Sequence, residues 1–488
     1  MAEKSDKFEA LFRSVYEAGK AIHSLATRGE YIRVVSHHDA DGLAAAGILT
    51  ETLTRMGAYF RVRITKQIDE QLIQELASEG PSPIIFTDLG SGYLDLLKAE
   101  LSNIEVVILD HHQLSGDPFP KLVHANPHIC GLEGSKEISG AGMAYLTAKA
   151  VDKANIDLAY LAVVGALGDL QDKNSDRKLL GLNEEIVKDG VNAGCLVTDT
   201  DLLLFGRETR PVHKALAYTT VPFIPGLSGE EGKCLGFLIN LGINLKRDDR
   251  WATLSDLTSE DKQRIFSEIA KFLTTRGLPG SVPMSLIGTV YTLTREDRLT
   301  PLRDAREYAS LLNACGRMDK GGLALSICIG DRGDALKEAI QLLDDYKKII
   351  AKYMDWLVNT PGAIRELKSI YAVKGGDLID EKMLSTVTSI LATSPLISHD
   401  KPIIASTLAS NNSLKVSGRM SEALVEKGLN LGSILQTASE KFSGMGGGHN
   451  VAAGAQIPSE CEDEFLEFVD RVIGDQLGSN DSQDSSKI

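Results

Sequence analysis

Of the ten histidines in this 488-residue chain, five lie in or beside short runs of acids and glycines: His37, His38, His111, His112 and His449. The first run reads Ser36-His37-His38-Asp39-Ala40-Asp41-Gly42 and the second carries Asp88 in FTDLGSG. The third is Asp110-His111-His112, and the fourth holds Asp169 in VVGALGDLQD. Each alone is weak evidence, since DxD is common and an aspartate after an apolar run serves equally well as a helix N-cap. Their joint meaning is stronger. Carboxylates and imidazoles gathered in one place and withdrawn from water repel one another unless cations sit among them. No thiolate accompanies them, and mixed oxygen and nitrogen donors suit Mn²⁺, with Mg²⁺ as the alternative, better than structural zinc. Two such ions about 3.5–4 Å apart form a known apparatus for in-line displacement at phosphorus, so the chemistry indicated is hydrolysis of a phosphate ester.

The elements that must position these residues alternate between strand and helix. YIRVVS, FRVRIT, PIIFTD and EVVILD are short apolar runs ending in polar clusters, and GLAAAGILTETLTRMG has helical spacing closed by glycine. Such alternation predicts an α/β fold with a mostly parallel sheet, and ligands of such sheets bind beyond the carboxyl ends of the strands. The run before Asp169 is read as one more strand. The expected organisation is a catalytic domain over 1–200, a turn-rich middle or insertion domain over 201–334, and a long connecting helix over 335–359. A C-terminal α/β domain over 360–475 and a polar, disordered tail over 476–488 complete it.

A second constellation lies in the last domain. Gly446, Gly447 and Gly448 lead into His449 in a glycine-rich loop, and residues without Cβ let backbone N–H groups close on an anion. A structural turn is the plainer explanation of such a loop, but Ser417 and Arg419 lie on a nearby strand-like segment, and arginine is the usual bidentate phosphate clamp. Asn313 and Arg317 in LLNACGRMDKGG are further candidate substrate contacts, although an arginine after glycine is as often a surface ion-pair partner, and Arg207 and Arg210 in FGRETRP are weaker candidates.

The composition, 43% hydrophobic and 24% charged, is that of a globular protein, and no apolar stretch approaches the roughly 20 residues of a membrane span. The six cysteines form no CxxC pair, and the N-terminus lacks the apolar centre of a signal peptide, so a reducing cytoplasm is expected. A net charge of −15 argues against a protein that coats nucleic acid, since phosphate neutralisation supplies most of that affinity. It leaves room for an enzyme whose carboxylates surround cations.

SHHDADG, FTDLG, LDHH and ALGD, in this order, resemble the four motifs of the DHH phosphoesterases. HANPH and SGAGMAYL resemble the segments that follow in RecJ-type members, and KVSGRM with GMGGGHNVAAGA resembles the motifs of the associated DHHA1 domain. The resemblance implies an N-terminal parallel-sheet DHH domain, a middle insertion, and a C-terminal DHHA1 domain joined by a long helix. It implies two divalent cations, one held by His37, Asp39 and Asp88 and the other by Asp41, Asp88, His111 and Asp169, with Asp88 bridging. His112 would face the scissile phosphate, Asp110 would orient an imidazole, and Ser417, Arg419, Gly446, Gly447, Gly448 and His449 would bind substrate. One departure bears on His37. Small-molecule members have HxxxDxD, whereas His37 precedes Asp39 by two, which resembles RecJ-type sequences in which an acid can stand there; His38 is then a neighbour.

The activity implied is that of an archaeal RecJ-like, single-strand-specific exonuclease in replication or repair, digesting DNA in preference to RNA and 5′→3′. The alternatives within the family are 3′→5′ digestion and hydrolysis of short RNA or cyclic dinucleotides. The alternative outside it is a replisome scaffold that binds the GINS complex through the middle domain.

Overall fold

The computed structural model describes residues 2–219, 224–275, 280–394, 396–409 and 413–484, in two compact units, Met1–Leu343 and Asp344–Ile488. The first unit begins with helix α1 (Ala2–Thr27), β1 (Tyr31–His37), α2 (Ala40–Arg55), β2 (Tyr59–Thr65) and α3 (Glu70–Ser78). It continues with β3 (Ile84–Thr87), α4 (Leu94–Leu101), β4 (Val106–Leu109) and β5 (Leu122–Ala125). All these strands are parallel, in the order β2-β1-β3-β4-β5. The inner strands read as unbroken apolar runs because both their faces are covered: Val34, Val35, Ile84 to Phe86 and Val106 to Leu109 are all buried. Register then decides the site. Ser36 pairs with Thr87, and Thr87 with Leu109, so His37, Asp88 and Asp110 are the next residues on three adjacent strands, at one edge of the sheet.

Over the sheet lie α2 with α5 (Gly140–Val151), α6 (Ala159–Gly168) and α7 (Leu182–Asn192). Close approach among the first three is permitted by small side chains, with Ala44, Ala45, Ala141, Ala144, Ala162 and Ala166 all buried. Here one expectation is corrected: the apolar run before Asp169 is helix α6, not a strand. It is apolar all round because it is buried all round, which leaves no periodicity to separate it from a core strand.

The middle segment contributes β6 (Leu196–Leu202), α8 (Val212–Ala217), α9 (Glu231–Asn240), the hairpin β7 (Lys246–Arg247) and β8 (Arg250–Trp251), α10 (Ser259–Thr274), α11 (Ser281–Met284) and β9 (Ile287–Leu293). It has its own core, including Val212, Leu216, Leu238, Ile265, Ile269 and Leu286. After β9 the chain returns: α12 (Ala305–Arg317) packs on α2 and α6, and α13 (Gly321–Cys328) on α2. The part of the expected middle domain after about residue 300 therefore packs with the helices over the first sheet.

Helix α14 (Asp334–Asn359) runs across the boundary between the units. The second unit contains β10 (Ile364–Glu366), β11 (Tyr371–Lys374), α15 (Leu384–Thr393), β12 (Ile403–Leu408) and β13 (Ser413–Arg419). It ends with α16 (Glu422–Glu426), α17 (Leu431–Lys441), β14 (Met445–Gly448), β15 (Ala452–Pro458) and α18 (Glu462–Asp484). Its sheet is mixed, in the order β10-β11-β12-β13-β15-β14, around Ile404, Val416, Leu435, Ile457, Phe465 and Val469. Helix α18 runs on to Asp484, through most of the segment read as a disordered tail. Its buried residues Phe465, Val469 and Ile473 nucleate the helix, and each further residue adds a backbone hydrogen bond at little cost. Residues 485–488 of that tail lie outside the described residues.

Candidate metal centre

Ligand atoms of His37, Asp39 and Asp88 all lie within 4.8 Å of one another, as do those of Asp41, His111 and Asp169, and those of Asp88, His111 and His112. Asp88 and His111 each belong to two of these groups, so the sets form one continuous centre. All the sequence-predicted metal ligands are brought together there. His38 joins none of the three groups, and burial followed by the neighbouring His37 lowers its pKa to about 4.

Each carboxylate is held differently. Asp39 caps α2, its Oδ1 accepting from Gly42 N at 3.0 Å. Asp41, 1% exposed, accepts from Gly140 N at 2.7 Å and Ala141 N at 3.0 Å, the first amides of α5. A helix N-terminus favours an anion, which fixes this carboxylate in a buried place. Asp110 is fully buried and saturated: Oδ2 accepts from Ser91 N at 2.8 Å, and Oδ1 from the backbone N–H of His111 at 2.8 Å and of His112 at 3.2 Å and from His112 Nδ1 at 2.8 Å. Three of its four donors fall on Oδ1, one of them the His112 ring, whose orientation it sets.

Asp88 is the reverse case. It is 1% exposed, yet neither of its carboxylate oxygens has a hydrogen-bond partner among the described residues. His111 Nε2 stands 3.1 Å from one oxygen and His37 Nδ1 3.4 Å from the other, close but not aligned as hydrogen bonds. Its backbone is left-handed, with φ of 58°, a conformation that costs a non-glycine residue on the order of 1 kcal/mol and persists where packing enforces it. Gly140 faces it so closely that a Cβ there would meet Asp88 Oδ1 at 2.4 Å, and one at Gly165 would meet Asp41 Oδ1 at 2.4 Å. Those glycines of SGAG and VVGALG are there for the carboxylates.

His111 Nδ1 lies 2.9 Å from the carbonyl of Gly134, which as acceptor places the proton on Nδ1 and turns Nε2 toward Asp88 and Asp41. Gln171, which the motifs do not single out, completes this arrangement. Its Nε2 donates to Asp169 Oδ2 at 2.9 Å and to that same Gly134 carbonyl at 2.9 Å, while its Oε1 accepts from Asn183 at 2.6 Å. One amide thus steadies two ligands. Asp169 and Gln171 sit in a Schellman turn closing α6: Leu170 N donates to Leu167 O and Gln171 N to Ala166 O. The left-handed position of that turn usually holds glycine; here it holds Leu170, with φ of 57° and 63% exposed.

Electrostatics follow from the crowding. Burial, then Asp88, pushes the Asp41 carboxyl well above its usual range, and burial also raises Asp169. Burial alone would lower His37 and His111, but the facing carboxylates outweigh it and raise both well above the usual imidazole value. His112 is likewise carried up to about 9 by Asp110 against the effect of burial. The donor set of carboxylate oxygens and imidazole nitrogens, with two buried, unpartnered oxygens on Asp88, fits divalent cations of the Mn²⁺ or Mg²⁺ type.

In the second unit, GMGGGH is not a loop: Met445–Gly448 is edge strand β14, antiparallel to β15. Pairing overrides glycine's poor strand propensity here because α17 packs so closely that a Cβ on Gly446 would meet Ser439 Oγ at 2.7 Å. Ser417, Gly454 and Gly447 form one cross-strand row, and nothing lies within 4 Å of where a Cβ of Gly447 would be, so space is kept open in that row. Arg419 Nε donates to Ser389 Oγ at 2.9 Å and Nη1 to the Gly418 carbonyl at 2.7 Å, which fixes its guanidinium near the end of β13. His449 is exposed in the turn after Gly448.

The remaining candidates divide. Asn313 Oδ1 accepts from Ala40 N at 3.0 Å, so its carbonyl serves the first turn of α2. Arg207 is mostly buried and paired with Asp201 at 2.5 Å, a structural ion pair. Arg317, the last residue of α12, lies close enough to His38 to add to its lowered pKa. Arg210 stands over the rings of Phe205 and Tyr218. Among the described residues no helix is long and apolar enough to cross a membrane.

Comparison with known proteins adds the following. Residues 31–166 match the DHH family, N-terminal domain, 204–287 the DHH-CID domain, and 369–475 the DHHA1 domain. An uncharacterised protein of Methanocaldococcus jannaschii is 32% identical over 484 residues, covering 98% of this chain and all of that protein. The single-stranded-DNA-specific exonuclease RecJ of Bacillus subtilis is 27% identical over 190 residues, which span 37% of this chain and 24% of that protein. Among solved structures, RecJ of Thermus thermophilus in complex with Mn²⁺ superposes with a TM-score of 0.59 at 19% identity, over 94% of this chain and 55% of that one. CDC45 of Entamoeba histolytica superposes with a TM-score of 0.62 at 12% identity, over 95% of this chain and 99% of that one. At these identities the structural likenesses establish the fold.

Proposed function

From the membership of this chain in the DHH/DHHA1 family, on a RecJ-like fold, we propose that it is a metal-dependent exonuclease that hydrolyses phosphodiester bonds of a single strand, DNA before RNA and from the 5′ end. The observation that carries the reading is Asp88, a buried carboxylate with two unpartnered oxygens between two groups of ligands. Bound cations would satisfy both oxygens. His37, Asp39 and Asp88 would hold one ion and Asp41, Asp88, His111 and Asp169 the other. When bound, such a pair supplies a water nucleophile at neutral pH and neutralises charge on the phosphoryl oxygens.

The chain's own residues do the rest. His111, fixed through Nδ1 by Gly134, and Asp41, fixed by the α5 amides, keep the ligands from turning. Asp110 accepts from His112 Nδ1 and leaves Nε2 to donate to a phosphoryl oxygen as charge accumulates there. Arg419, Ser417 and the Gly446–Gly448 backbone with His449 would bind a phosphate of the same strand. The test is digestion of DNA and RNA of equal sequence, labelled separately at each end, with Mn²⁺ and then with EDTA. Early mononucleotide release from the 5′ end of DNA, abolished by EDTA, is the expected result. Activity confined to di- to tetranucleotides would replace the reading by a short-RNA phosphodiesterase.

The likeness to CDC45 over nearly its whole length favours one second reading, a replisome scaffold that docks GINS through the middle segment. Complete inactivity of pure, Mn²⁺-loaded protein on every strand, together with GINS binding, would select it.

A further inference from the structure

Two cations of the middle segment, Arg210 and Lys246, rest on aromatic rings. Arg207 and Lys262 both meet Asp201, Arg250 meets Asp256, and Lys214 meets Glu231. Among the described residues no carboxylate lies within 4.0 Å of the charged nitrogens of Arg210 or Lys246. Each stands over aromatic rings instead. The Arg210 guanidinium carbon is 5.0 Å from the Phe205 ring centroid and 4.5 Å from that of Tyr218, and Lys246 Nζ is 4.1 Å from that of Trp251. All three rings reach water, with Phe205 36%, Tyr218 51% and Trp251 39% exposed.

The two groups belong to one strip. Lys246 and Trp251 are directly opposed across the β7–β8 hairpin. Val212 N donates to Ala252 O at 2.9 Å and Pro211 bridges to Thr253, so the segment carrying Arg210 is laced to the strand carrying Trp251. His213 backs Trp251 edge-on, with ring centroids 5.0 Å apart, and the Glu231 carboxylate lies near Tyr218. The rings are therefore held before any ligand arrives, which lowers the entropy cost of stacking on them.

A net charge of −15 repels a polyanion, so capture of a long strand needs local places where cations are not already neutralised. A protein interface is likewise rich in aromatic residues and arginine but poor in lysine, and here Lys246 stands over the Trp251 ring. Exposed rings carrying cations without carboxylates suit a single strand, which presents a π-face on every base and a phosphate between them. We infer that Phe205, Arg210, Tyr218, Lys246 and Trp251 form a stacking track for a single nucleic-acid strand, without sequence preference and separate from the metal ligands. This rests on the reading of the chain as a single-strand nuclease.

The full chain, in EDTA, is titrated with an end-labelled strand of about twenty nucleotides, DNA and then RNA, and binding is followed by anisotropy and by Trp251 emission, with Trp251→Phe assigning the signal. The wild type should show quenching. The Arg210→Ala, Lys246→Ala double variant should bind about tenfold more weakly. Its slope of log affinity against log salt should fall by about 1.4, at roughly 0.7 per lost phosphate contact. Its thermal midpoint and its Mn²⁺-dependent hydrolysis of a dinucleotide should match the wild type. Unchanged affinity and slope in the double variant, with no quenching in the wild type, would overturn the track and leave the strip to a protein partner. Failure of the nuclease reading would look different: no hydrolysis of strand or dinucleotide by the wild type, whatever its affinity.

Discussion

At the end of the first sheet, the innermost charged groups are packed almost without water, with Asp41 and Asp88 each 1% exposed and His111 5%. At the edge of the second, an uncharged glycine strand lies half-exposed, with Arg419 anchored beside its row through Ser389 and the Gly418 carbonyl. The first region depends on fixed constraints: α5 amides donating to Asp41, a carbonyl accepting from His111, an amide side chain donating to Asp169, and a left-handed backbone at Asp88. The second needs little of this, because backbone donors lie ready wherever a chain omits Cβ. Crowded charge demands pre-organisation that neutral backbone does not, so damage in the first region should propagate to metal binding and damage in the second should stay with substrate capture.

The largest effect expected from this contrast is at its centre. Asp88→Ala should lower hydrolysis by about a thousandfold or more and weaken Mn²⁺ binding seen by calorimetry, with unchanged far-ultraviolet circular dichroism. Normal turnover in that variant would break the two-group account of the centre. Next comes Gln171→Leu, which removes the amide shared by Asp169 and Gly134 while keeping the volume. Mn²⁺ affinity should fall about 10- to 100-fold, the usual weight of a residue that orients ligands. A loss of activity with intact Mn²⁺ affinity would instead place Gln171 on the substrate side. Arg419→Ala should raise KM about tenfold, as one charge-assisted contact is worth, and leave Mn²⁺ affinity alone. A change in Mn²⁺ affinity alone would dissolve the contrast between the regions. Smallest is Leu170→Gly, which relieves the left-handed residue in the Schellman turn and should stabilise the fold by about 1 kcal/mol, read as a higher thermal midpoint. A lower midpoint would mean that the Leu170 side chain contributes packing that outweighs its backbone strain.

Much of the first region was legible because strand ends carry their ligands in consecutive residues. A run such as EVVILD can only deliver Asp110 to the end of its strand, and neighbouring strands share that edge. Asp169 was legible as a member of the cluster but not as a helix terminus, since an apolar run of Ala, Val, Leu and Gly has no period to betray its element. Gln171 left one trace, its place two residues after a metal-ligand aspartate, but nothing local says that it reaches Gly134, 37 residues away. In the second region GMGGGH suggested a loop, and only pairing with Ala453 to Gln456 makes it a strand. Arg207 and Arg210, three residues apart in one motif, parted company: one is buried on Asp201, the other rides on two aromatic rings.

By itself the sequence determined which residue types occur, in what order, and on which short elements, and this was enough for the α/β architecture and for the set of candidate metal ligands that the fold gathers. Tertiary structure alone decided how each carboxylate is used: Asp110 saturated by four donors, Asp41 held by two, Asp88 by none. The physical reason is that element type follows from periodicity over a few residues, whereas the partners of a buried oxygen come from parts of the chain as far apart as Asp41 and Gly140 and are set only when the whole layer packs.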